Sequence, residues 1–218
     1  YELFETKLAD EWDGQFYPLK STAEFFEMSH KTLSNYLYRG SVPAEILLKL
    51  CDSVDDVLAF VPSDVTLGMK RDSTEMDRHI EITEDVATLF GYYAAEGFAR
   101  EQDTPKGSIH QTTICGTEVE AREFYVETFE SAFSVSPYRE NDAKVTVSGR
   151  LVRAFFDTVL NAGVYAKTKR VPQCVFDASE EIVAAYLRGY FSGDDSADSN
   201  ALEVNATTVS HELKEDLL

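Results

Sequence analysis

Apolar residues fall at Val86, Leu89, Phe90 and Tyr93, the i, i+3, i+4, i+7 spacing of one helix face. Thr83 followed by Glu84 and Asp85 supplies a capping hydroxyl and first-turn acids, so a helix is expected over about 83–97. Downstream the period shortens. Residues 108–115 (SIHQTTIC) are rich in β-branched side chains and 144–148 (KVTVS) alternate polar with apolar, as half-buried strands do. Between them Ala121, Phe124, Tyr125, Phe129 and Ala132 return to helical spacing, and 150–160 (RLVRAFFDTVL) reads as a further helix. Near the N-terminus 21–28 and 30–38 form two short helical runs, with Gly40 ending the second and Pro43 opening a third over 43–51. The stretch 52–77 is mixed in character and reads as a linker, with Lys70, Arg71 and Arg78 available to phosphate.

One pattern occurs twice. Leu89–Gly97 (LFGYYAAEG) and Leu187–Asp195 (LRGYFSGDD) each end an apolar helical run in a carboxylate. Gly91 with Ala95, and Gly189 with Gly193, place small residues four apart on one helix face, where a second backbone can approach closely. Pairing through those faces brings Glu96 and Asp194 together. Two carboxylates at helix C-termini repel each other and oppose the helix dipole, an arrangement that a divalent cation stabilises.

These nonapeptides resemble the signature of the LAGLIDADG homing endonucleases, especially the dodecapeptide type carried by inteins. The first copy matches at Leu89, Gly91, Glu96 and Gly97, the second at Leu187, Gly189 and Asp194, while Asp195 stands where the family has glycine. Lys169-Arg170-Val171-Pro172 is similar to the family's lysine-x-apolar-proline block, and 206–213 (ATTVSHEL) to the segment that opens a second half. The resemblance covers about residues 83–218. It implies an α+β fold of αββαββα pseudo-repeats, with 81–178 as the first half and 179–218 as the start of an incomplete second one. The remaining residues, 1–80, form a helical, helix-turn-helix-like module and linker. It further implies a site-specific, metal-dependent double-strand DNA endonuclease, monomeric with internal pseudo-two-fold symmetry when complete. Glu96 and Asp194 are the expected ligands of Mg²⁺ or Mn²⁺, and Lys169 the expected basic group beside the phosphate.

Composition changes this picture in one respect. A formal charge of −19 in 218 residues opposes DNA binding, whose affinity comes largely from Lys and Arg displacing counterions. The acid is unevenly spread. Between Arg139 and Arg170 seven basic residues (Arg139, Lys144, Arg150, Arg153, Lys167, Lys169, Arg170) face three acids (Glu140, Asp142, Asp157), whereas 177–218 carries ten acids and two bases. The general acidity is expected to be halophilic adaptation, a hydrated surface suited to salt at which the Debye length is about 3 Å or less. Cys51, Cys115 and Cys174 are widely spaced without a C-x-x-C pair, which argues against a disulfide framework or thiolate zinc site. No apolar run approaches membrane-spanning length, and a cytoplasmic protein is expected.

Candidate DNA contacts are Lys31, Asn35 and Arg39, four apart on one face of the second helix, and Gln111, Thr113, Lys144 and Thr146 on the strands. Lys167 and Arg170 suit phosphate contacts. Strand alternation leaves open whether Gln111 and Thr113 or Thr112 faces the duplex. A small helical bundle with a solvated face accounts for the N-terminal pattern equally well. A non-catalytic DNA-binding regulator, or a degenerate remnant on the same scaffold, is the alternative to the nuclease. If the acidity is halophilic, circular dichroism will show loss of structure in dilute buffer and its recovery in concentrated KCl; indifference to salt removes that explanation.

Overall fold

The computed structural model describes residues 19–51, 53–105, 107–194, 197–198, 203–204 and 207–218. The chain divides into two compact units, Tyr1–Ser63 and Asp64–Leu218. The boundary therefore precedes residue 80. Residues beyond 63, assigned above to a linker, pair as strands and build into the second unit: Met76 is buried in its core, and the Thr74 hydroxyl donates to the Ser148 carbonyl at 2.6 Å.

In the first unit, α1 (Leu19–Phe25), α2 (His30–Arg39), α3 (Ala44–Leu50) and α4 (Val54–Phe60) follow in order. Ser29 caps α2 by accepting from the Thr32 N–H at 3.1 Å. Gly40 ends it in the left-handed region at φ +64°, its N–H bonding the Leu37 carbonyl, a conformation that favours glycine. Phe26 and Ile46 are buried among Met28, Tyr36, Leu37, Val42 and Leu50. Lys31, Asn35 and Arg39 are exposed together on α2, beside a Tyr38 that is 92% exposed.

The second unit mixes helix and sheet. After the short strands β1 (Thr66–Gly68) and β2 (Glu75–Asp77) come α5 (Glu84–Glu96), β3 (Gly97–Thr104), β4 (Gly107–Cys115), α6 (Val119–Phe133), β5 (Tyr138–Asn141), β6 (Lys144–Ser148) and α7 (Arg150–Ala154). Helix α7 continues as a π turn over Phe155–Val159. Then follow α8 (Gln173–Phe176), α9 (Glu180–Gly193), β7 (Ala197–Asp198), β8 (Glu203–Val204) and α10 (His211–Asp216). The main sheet is antiparallel in the order β3-β4-β6-β5. Strands β3 and β5 were not legible as strands. Arg100, Glu101, Gln102 and Asp103 crowd β3 with polar side chains, and β5 is exposed throughout; both are edge strands, where polar residues are tolerated.

One face of the sheet presents Ala99, Ile114, Val145 and Val147 to the core, each at most 1% exposed. Phe90, Phe129, Phe133 and Phe156 fill that core, with Tyr93 and Phe156 centroids 4.5 Å apart. Burial of each such side chain contributes about 1.5–3 kcal/mol. The π turn lets consecutive Phe155 and Phe156 both face inward, each packing against Phe90.

Helices α5 and α9 approach through their glycines. A β-carbon at Gly91 would lie 2.1 Å from the Tyr186 carbonyl oxygen, and one at Gly189 would lie 2.1 Å from that of Thr88. The Thr88 hydroxyl also donates to the Ala185 carbonyl at 3.2 Å. Alanine at either glycine gains about 1 kcal/mol of helix propensity, but its methyl meets backbone that cannot yield without parting the helices. Gly189→Ala is therefore expected to destabilise the protein by about 1–3 kcal/mol in denaturant unfolding, whereas Ser192→Ala, exposed at the end of the same helix, stays near neutral.

Candidate active site

Glu96 closes α5 and leads directly into β3; Asp194 is the residue that ends α9. Because the glycine seam holds the helices in contact along their length, their C-terminal ends lie side by side. A β-carbon at Gly193, the residue before Asp194, would lie 2.8 Å from the Ala95 β-carbon and 3.8 Å from Glu96 Cγ. Glu96 is exposed and Asp194 partly buried. The Asp194 Oδ2 accepts the Thr207 N–H at 3.0 Å, which tethers the approach to α10. Negative charge at Glu96 reaches its surroundings: burial pushes the Cys115 thiol up, Lys144 opposes, and Glu96 and Glu140 add to the rise. Asp195 lies outside the described residues.

Lys169 sits beneath this acid pair. It is 2% exposed, and its Nζ donates to the Tyr93 carbonyl at 2.7 Å while lying over the Tyr93 ring. That carbonyl also accepts the Gly97 N–H, so Lys169 places its amine among the terminal carbonyls of α5, where the helix dipole favours a cation. Burial drives its pKa well down. The Lys169 carbonyl in turn accepts from the Ser210 hydroxyl at 2.7 Å, and the same hydroxyl caps α10 by accepting the Leu213 N–H. Arg170 is exposed and 3.6 Å from Asp216, whose carboxylate also accepts the Val171 N–H. Lys167 is exposed nearby. The lysine-x-apolar-proline block thus joins the end of α5 to the start of α10.

The donor set suits a hard cation that keeps most of its water: two carboxylates on facing helix ends, with no group of three His, Cys, Asp or Glu gathered among the described residues. That is the sparse requirement of Mg²⁺ and not the closed four-ligand cage of structural zinc.

Outside the core, the other face of the sheet is polar and internally wired. Gln111 and Thr113 share it with Lys144 and Thr146, while Thr112 pairs with Ala99 and Val147 on the core face. Arg100 Nε donates to Gln111 Oε1 at 2.6 Å, and Gln111 Nε2 donates to the Tyr138 hydroxyl. Arg100 also lies 3.5 Å from Glu140. The Thr113 and Thr146 hydroxyls are 2.9 Å apart. Lys144 lies over Phe98, 5.8 Å from its centroid, at the end of the sheet nearer Glu96. The ladder from Arg100 through Gln111 to Tyr138 was not foreseen. Alternation within each strand points to it, but cross-strand register decides which residues meet.

No protein-family model matches the chain. It is 33% identical over 208 residues to the DNA polymerase II large subunit of Haloquadratum walsbyi, covering 92% of this chain and 9% of that protein. With the DNA polymerase II large subunit of Thermococcus kodakarensis it shares 36% over 184 residues, 84% of this chain and 10% of the relative. A DNA polymerase of a Thermococcus species is 31% identical over 144 residues, 66% and 8% respectively. The chain thus spans about a tenth of the length of the curated relatives it matches. Among the described residues no helix is long and apolar enough to cross a membrane.

The depressed lysine generates a pH signature. With its folded pKa below the unfolded value of 10.5, the unfolded chain holds more protons in the intervening range, so Lys169 costs stability at lower pH and that cost disappears as pH rises toward 10.5. Denaturant unfolding of wild type minus Lys169→Met is expected to show a difference that shifts in favour of wild type as pH climbs through the alkaline range; a flat difference rejects a desolvated amine.

Proposed function

We propose that this chain belongs to a LAGLIDADG-type homing endonuclease carried as an intein within a DNA polymerase, and that it cuts double-stranded DNA at a specific site with the help of Mg²⁺ or Mn²⁺. What supports the reading is the α5–α9 contact, which sets Glu96 against Gly193 and so beside Asp194. The relatives point the same way: matches confined to about a tenth of DNA polymerases suit an inserted element more readily than a polymerase domain.

When bound, the metal would lower the pKa of a water and offset charge on the leaving oxygen. The protein's own part is positional. Glu96 and Asp194 hold their carboxylates at the ends of two helices that cannot slide, because the glycine backbones interlock. Lys169 stabilises the end of α5 that carries Glu96 by donating to its Tyr93 carbonyl. Its buried amine supports the acid from below, and phosphate contact falls to the exposed Lys167 and Arg170. Gln111, Thr113, Lys144 and Thr146 provide a pre-organised face for base and backbone contacts in the major groove, and the exposed Lys31, Asn35 and Arg39 a second surface on α2.

The full-length parent, incubated in high salt and Mg²⁺ with the uninterrupted polymerase gene, is expected to make a double-strand break. Glu96→Gln and Asp194→Asn each forfeit several kcal/mol of charge stabilisation, which corresponds to on the order of 100-fold or more in rate. Cleavage that survives both substitutions rejects the assignment, and retention of DNA without cutting favours a non-catalytic regulator.

A further inference from the structure

At the opposite end of the polar sheet from Glu96, the β1–β2 loop, the start of β4 and the β6–α7 turn enclose a cleft of about 190 Å³. Lys70, Arg71, Asp72, Ser73, Ser108 and Arg150 are among its lining residues. The cleft is held open by its own bonds. Asp72, its one carboxylate, accepts the backbone N–H groups of Thr74 and Arg150, and the Thr74 hydroxyl bonds the Ser148 carbonyl. With that acid committed to backbone, Lys70, Arg71 and Arg150 remain exposed and make no ion pair among the described residues. His110, also in the lining, has both ring nitrogens buried without a hydrogen bond, Glu101 lying 3.9 Å from Nδ1.

We propose that this cleft is a phosphate anchor, taking one backbone phosphodiester of double-stranded DNA at the end of the footprint remote from the carboxylates. The proposal rests on the DNA-binding reading above. Three uncompensated cations around hydroxyls form an oxyanion site in a protein whose overall charge repels DNA, so each such cluster carries a large share of backbone affinity. Spacing agrees. Lys144, at the Glu96 end of β6, and Ser148, in the cleft lining, are four residues apart, about 13 Å at roughly 3.3 Å per residue. The major groove is about 12 Å wide. A duplex whose groove lies over Lys144 and Thr146 therefore brings the phosphates along one groove edge to the cleft.

The test measures affinity of the full-length parent for a duplex spanning the uninterrupted insertion site, across a KCl range in which circular dichroism shows every variant folded. Neutralising the cleft with Lys70→Gln, Arg71→Gln and Arg150→Gln is expected to make the slope of log affinity against log salt shallower by about 0.9, the loss of one phosphate contact. A control with the same net charge, Lys49→Gln, Arg188→Gln and Lys214→Gln, keeps the wild-type slope. The pair Lys70→Gln and Arg71→Gln, both in an exposed loop, serves should the triple variant misfold. Equal slopes in cleft variant and wild type overturn the anchor and leave the nuclease reading standing, provided wild type still cuts. Failure of wild type to bind the duplex removes the nuclease reading and the anchor together. Inorganic phosphate that binds wild type but not the cleft variant, with no change in duplex slope, assigns the cleft to free anions and overturns the proposal.

Discussion

Backbone contact between α5 and α9 is the constraint on which the rest depends. Side chains can compensate for one another across an ordinary helix interface, but at Gly91 and Gly189 the neighbours are carbonyl oxygens and amide nitrogens, which move only when a whole helix moves. This fixes axial register as well as separation. Register matters because each acid lies at a helix terminus: a slip of one residue along the axis is about 1.5 Å, large against the tolerance of a metal site built from two carboxylates. The Arg188–Glu84 pair at 3.3 Å lies at the far end of the seam, is well exposed, and contributes little by comparison.

The site is also tied to the chain beyond the two helices. Lys169 donates to α5, its carbonyl receives Ser210, and Ser210 caps α10. Asp216 returns from α10 to the Val171 N–H and the Arg170 side chain. The end of α5, the proline block and the segment after α9 therefore form one hydrogen-bonded unit. Such coupling holds the carboxylate geometry against the repulsion of two acids whose helix dipoles both disfavour them.

Much of this was legible before any coordinates, for a physical reason. The α5 and α9 runs combine apolar periodicity with small residues four apart, and both signals are local. Thr83 as the α5 cap and Gly40 as the α2 terminator were equally local. What escaped was non-local. Strands β3 and β5 lack alternation because they are polar edges whose pairing is supplied by β4 and β6. The β1–β2 pair sits in a stretch without periodicity, and its attachment to Ser148 and Arg150 links residues more than 70 positions apart. Lys169 was read as a charge facing solvent, because sequence alone does not reveal a backbone carbonyl waiting 2.7 Å away.

Charge is where local and global views diverge most. A total of −19 describes a surface average, and screening confines each exposed charge to its own neighbourhood. Within the second unit the cations that count are those whose carboxylate neighbours are already engaged. Glu140 is drawn to Arg100, Asp72 to two backbone N–H groups, and Asp216 to Val171 and Arg170. Lys144 and the Lys70, Arg71 and Arg150 group thus meet solvent with their nearest acids occupied. A DNA backbone approaching the sheet encounters those local fields at contact distance, and at high salt it is shielded from the acidic remainder. An acidic protein can in this way hold DNA, provided its acids are spent on internal bonds wherever the duplex is to lie.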